Sequence, residues 1–157
     1  MTDEMKIEKA ELAYFTLCDS LDEDGWKYIK KDGDLSVKYR ETGDDLPMDC
    51  LFGIDIKRQV VRFLSTLPVN MLANNKLVDA AVACCIVNSK ISYGCFDLNI
   101  ETGAVCFRMT YSFKESVMGK DFFRNMRRFA TTVIDKYNER FLALSNGECK
   151  ATDFLDI

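Results

Sequence analysis

The chain carries seven cysteines, Cys18, Cys50, Cys84, Cys85, Cys95, Cys106 and Cys149, and no histidine. A thiol becomes a useful nucleophile only when a base or a positive setting makes it a thiolate. Without histidine, the Ser-His-Asp and Cys-His arrangements are closed, and so is every imidazole metal site. No Cys-x-x-Cys spacing occurs, and the cysteine count is odd. No charged and then apolar leader opens the sequence, so it reads as a reduced, cytoplasmic protein whose thiols serve as small core side chains. Asp22-Glu23-Asp24 and Asp32-Gly33-Asp34 invite a calcium reading, but both lack the twelve-residue loop with its closing glutamate and fit turns better. A glycine-rich phosphate loop, a G-x-S-x-G elbow and zinc spacing are all missing. The residues therefore predict no catalytic set, no cofactor and no metal. An enzyme built from this chain would have to place carboxylates, Lys, Arg, Tyr or Cys by its fold alone.

Two charged constellations remain. Lys120, Arg124, Arg127 and Arg128 cluster in the first half of one helix. Arginines there suit a phosphate or an acidic partner segment. The plainer alternatives are a solvated face or pairing with the acidic first helix. The other constellation is Asp97 with Arg108. If Ile100 lies opposite Val105, Asp97 lies directly across from Arg108, in a cross-strand pair contributing about 0.2–1 kcal/mol. That pair, with Tyr93 and Thr110 near it, is the candidate polar site on an open sheet face.

The elements that must position these residues show in the periodicity. Phe96, Leu98 and Ile100 alternate on one arm of a hairpin, and Val105, Phe107, Met109 and Tyr111 on the other, closed by Glu101-Thr102-Gly103. One face is apolar and the other half polar, as in an antiparallel sheet with helices on one side. Residues 3–21 read as a helix capped by Thr2, with Ile7, Ala10, Tyr14, Leu17, Cys18 and Leu21 on one face. Strands follow over Trp26–Lys31 and Leu35–Glu41, and a third runs from Pro47 through Met48, Cys50, Phe52, Ile54 and Ile56. Val60–Leu67 is a fourth strand by its β-branched and aromatic content, although a helical face also fits it. A helix spans Asn70 to Val87, and its Ala80–Val87 half is apolar around the whole circumference. The last helix runs from Gly119 to Leu144. The final ten residues have no period and read as a loose tail.

The predicted fold class is therefore α+β: five to six antiparallel strands with helices packed on one face, in the order α-β(3 or 4)-α-β-β-α. It forms one domain over residues 1–147 with a tail over 148–157. The net charge is −4, and it is uneven: −7 over residues 1–53, +2 over 54–118 and +1 over 119–157. An acidic first third argues against nucleic acid, and the strand aromatics fall on the core face rather than outward among bases. No run is long enough to cross a bilayer, so no membrane is expected.

Asn88, Tyr93-Gly94-Cys95-Phe96-Asp97-Leu98, Thr102-Gly103-Ala104-Val105-Cys106-Phe107-Arg108 and a long helix ending near Tyr137–Leu144 together resemble the YbjN-like family of bacterial proteins, also described as sensory transduction regulators. The resemblance covers about residues 5–147. It implies the type III secretion chaperone fold, which binds other proteins and commonly dimerises, and it carries no catalytic residues over. The acidic first helix and the Cys84-Cys85 pair have no match in it. The function expected is a non-enzymatic protein-binding module, chaperone-like or regulatory, with an unidentified protein partner. A homodimer is expected through Val82, Cys85 and Ile86, the residues left exposed if the chain cannot cover its apolar helix. The alternative is a small-molecule or peptide site, or an enzyme, with a pocket beside the sheet; a deep cavity with converging polar groups would mark it.

Overall fold

The computed structural model describes residues 1–157. The chain runs α1 (Asp3–Glu23), β1 (Tyr28–Lys31), β2 (Ser36–Thr42), β3 (Pro47–Asp55), β4 (Val60–Thr66), α2 (Leu77–Asn88), β5 (Cys95–Leu98), β6 (Val105–Ser112) and α3 (Lys120–Ser145), then a 3-10 helix over Ala151–Asp156. The strands form one antiparallel sheet in the order β1-β2-β3-β4-β6-β5. This is the expected α+β architecture, with four strands before α2. Val60–Thr66 resolves as a strand because its alternate residues Val61, Phe63 and Ser65 fall on the buried side.

Side chains alternate across each strand, so register decides what the helices cover. Val37, Phe52, Phe63 and Met109 lie in one cross-strand row facing the helices, and all four are buried. Phe123 of α3 meets Phe52 edge-on, with ring centroids 6.2 Å apart. At the other end of the sheet Phe96 contacts Phe107 at 5.1 Å and Phe141 at 5.0 Å. On α1 the buried stripe is Ala10, Ala13, Tyr14, Leu17 and Leu21, whose alanines allow close approach to α3 and β3. Thr2 Oγ1 accepts a hydrogen bond from the Met5 N–H and starts that helix, as expected of an N-cap.

Three expectations are corrected. The β5–β6 hairpin pairs Leu98 with Val105, not Ile100 with Val105. Asn99 explains the shift: its Oδ1 accepts from the Glu101 and Thr102 N–H groups, so the turn begins two residues early. Ile100 then stands on the turn, 69% exposed. Second, α2 begins at Leu77 rather than Asn70. The chain before it is turned, with Asn75 in the left-handed region at φ 55°, a conformation that interrupts a helix and that asparagine tolerates better than most residues. Third, the C-terminal tail is not loose. Phe154 is fully buried against Phe141, ring centroids 5.0 Å apart. Lys90 Nζ donates to the carbonyls of Phe154, Leu155 and Ile157 and ties down the chain end.

β5 is the sheet edge, with backbone groups left unpaired on its outer side. The Asn88 side chain meets one set of them: its Nδ2 donates to the Phe96 carbonyl and its Oδ1 accepts from the Phe96 N–H, at 3.0 and 2.8 Å. A side-chain amide here does what a further strand would do, and the end of α2 blocks the edge against another chain.

Candidate functional site

Arg108 and Asp97 do meet on the open face, but diagonally. Asp97 pairs with Cys106 and Arg108 with Cys95. Arg108 Nε still reaches Asp97 Oδ2 at 2.6 Å. Its Nη2 lies 3.4 Å from Cys95 Sγ, which donates in turn to Asp97 Oδ1 at 3.3 Å. Partial burial pushes the Asp97 carboxyl up, but the hydrogen bonds from Arg108 and Cys95 and the Arg108 charge hold it below the usual range. The acid is held ionised and paired. That suits an electrostatic clip between β5 and β6, not a general acid.

Burial pushes up the thiols of Cys18, Cys50, Cys84, Cys95, Cys106 and Cys149. All seven cysteines are free. Burial pushes the Cys50 and Cys84 thiols up to about 12. Burial and the neighbouring Asp97 also raise Cys95, against which the Arg108 charge acts only in part. Such groups stay protonated near neutrality and make poor nucleophiles.

The basic cluster on α3 is largely spent inside the molecule. Arg124 binds Glu23 Oε2 at 2.7 Å and Asp24 Oδ1 at 3.0 Å, and Lys120 pairs with Glu23. Arg127 is buried, stacks on Trp26 with its guanidinium carbon 4.5 Å from the ring centroid, and contacts Asp24 and Glu41 at 3.4 and 3.3 Å. These contacts dock the acidic end of α1 on α3. Arg128 alone of the four is exposed without an ion pair. The patch proposed for an anionic partner is thus not a free patch, because carboxylates far away in sequence fold onto it.

On α2 the covering is one-sided. β5, α3 and the C-terminal 3-10 helix bury Ala80, Ala83, Cys84 and Val87. Val78, Ala81, Val82 and Cys85 remain exposed in a continuous i, i+3, i+4, i+7 stripe. Val78 is 78% exposed and Val82 44%. Of the three residues expected there, Val82 and Cys85 lie open and Ile86 is half-buried; Val78 and Ala81 were missed. The spacing from Val82 and Cys85 could have found both, since Val78 lies four residues before the one and Ala81 four before the other.

Two hollows lie beside the sheet. One, of about 430 Å³, lies between β6 and α3 and is walled by Tyr93, Tyr111, Phe122 and Phe129, with Asn125 as its one polar side chain. The other, of about 690 Å³, lies on the open sheet face around Leu51 and Leu64. The first holds one amide, and the second is rimmed by Lys27, Lys38 and the paired Arg40 and Asp49. No cluster of cysteine, aspartate or glutamate is arranged to hold a metal ion, and no helix is long and apolar enough to cross a membrane.

No family model and no curated protein matches the sequence. Among solved structures, the chain is similar to YbjN of E. coli, a proposed transcription regulator. The TM-score is 0.55 at 15% identity, over 81% of this chain and 92% of that one. The likeness is one of fold: this chain has a YbjN-like fold.

Proposed function

We propose that this chain is a protein-binding module of regulatory or chaperone-like type, not an enzyme, and that it works as a homodimer through α2. The exposed stripe Val78-Ala81-Val82-Cys85 carries the proposal. Four apolar residues in line on one helix face, with no charge among them, are unusual on a free surface. The rest of the helix is packed, so the stripe is not a folding defect awaiting an internal partner. A two-fold axis near Val82 would lay the stripe against itself and bury both copies. The YbjN-like fold agrees with a regulatory reading, since the similar E. coli protein is a proposed regulator.

Light scattering at micromolar concentration tests this. The wild type should have about twice the chain mass of 18.0 kDa, and Val82→Glu should shift it to the single-chain mass with its circular dichroism unchanged. A wild type that stays at the single-chain mass throughout would remove the dimer.

A further inference from the structure

The register places Ile29, Lys38, Leu51, Leu64 and Arg108 in one unbroken row across five strands of the uncovered face. Neighbouring strands are about 4.8 Å apart, so the row offers a side chain at each such step. Arg40 and Asp49 flank it in the next row, paired at 2.8 Å. Lys27 and Lys38 point into the 690 Å³ hollow without an ion pair. Over the whole face, six bases (Lys27, Lys31, Lys38, Arg40, Arg62, Arg108) stand against four acids (Asp49, Asp55, Asp97 and Asp34, which pairs with Lys31), a net +2 on a chain whose net charge is −4. No aromatic side chain projects from it.

We infer that this face docks an acidic amphipathic helix of a partner protein, with Leu51, Leu64 and Ile29 receiving its apolar stripe and Lys38 and Lys27 its carboxylates. The charge selects an acidic occupant. The leucine row selects an apolar stripe, which a simple polyanion lacks. A helix laid along the row presents a side chain every 5–6 Å, close to the strand spacing. Helix on sheet is also how the opposite face of this sheet is covered. The missing aromatics weigh against single-stranded nucleic acid, whose bases need ring faces to stack on. The inference shares only the protein-binding premise with the α2 proposal and uses a different surface.

The probe is a stapled helical peptide of about 14 residues with leucines at i, i+3, i+4 and i+7 and glutamates elsewhere. Its binding to the full chain is followed by amide chemical shifts. Shifts should centre on Ile29, Lys38, Leu51 and Leu64, and binding should weaken as salt rises from about 50 to about 500 mM. Leu64→Glu should weaken binding at least about tenfold. Lys38→Glu, an exposed change that leaves the core alone, should do so as well, and serves if Leu64→Glu fails to fold. Val82→Glu should leave it unaltered, so failure here and failure of the dimer are separate results. The inference is overturned by no binding, by shifts centred elsewhere, by equal binding of the same residues in scrambled order, or by tighter binding of a single-stranded oligonucleotide.

Discussion

Gly43 shows how a single atom constrains this fold. A Cβ built there would overlap the Asp135 carboxylate of α3. A side chain at this position would have to push the Asp135 carboxylate aside. Burial raises the Asp135 carboxyl above its usual range, and the Asp44 N–H opposes this only in part. Gly43→Ala should destabilise the protein by about 1–3 kcal/mol, as overpacking does. Adding Asp135→Ala should restore a large part of that loss, since it empties the contested space. A double-mutant cycle in denaturant melts reads the coupling directly; additive effects would mean that the two residues do not compete. Nothing in the sequence marks this contact. Gly43 reads as an ordinary turn residue, and its partner lies more than ninety positions away. Residues whose role is set by alternation were legible by contrast: Phe96, Phe107 and Met109 are buried where the two-residue period puts them.

Among the elements, α1 and α3 are held by charge as well as by packing. The Glu23 carboxyl is held below its usual range by hydrogen bonds from Lys120 and Arg124. A carboxylate with a lowered folded-state value contributes stability above its unfolded value, and that contribution disappears as pH falls through the folded one. Stability should therefore begin to fall below about pH 4.3, the ordinary glutamate value. Glu23→Gln should flatten part of that acid limb and leave the neutral-to-alkaline limb unchanged. Melts of both proteins between acid and neutral pH check this; parallel profiles would show that the α1–α3 charges contribute nothing measurable. The sequence displayed both partners, an acidic first helix and a basic α3. It could not choose between mutual pairing and an outside ligand, because pairing at that separation depends on the fold. The α2 and tail boundaries failed for a related reason. Asn75 and Phe154 each fix their segment by one local event, a left-handed residue and a single buried ring, and neither leaves a periodic trace.

At the scale of the whole molecule, the sheet has one covered and one open face, and α2 has one packed and one bare side. The core is a single continuous cluster that includes residues from α1 to the C-terminal 3-10 helix. The chain thus completes its interior without using the α2 stripe, which is why the stripe reads as an association surface. Cys85 lies in that stripe and is exposed in the single chain, and so reports on it. Cys106 lies half-buried on the opposite side of the sheet and serves as an internal reference. The decisive measurement is the rate of maleimide labelling at Cys85 relative to Cys106 as protein concentration rises through the range where light scattering reports dimer. The relative rate should fall in step with the dimer fraction, and Val82→Glu should hold it at its dilute value. A Cys85 rate that stays constant while the mass doubles would place the interface elsewhere and contradict the assignment of α2.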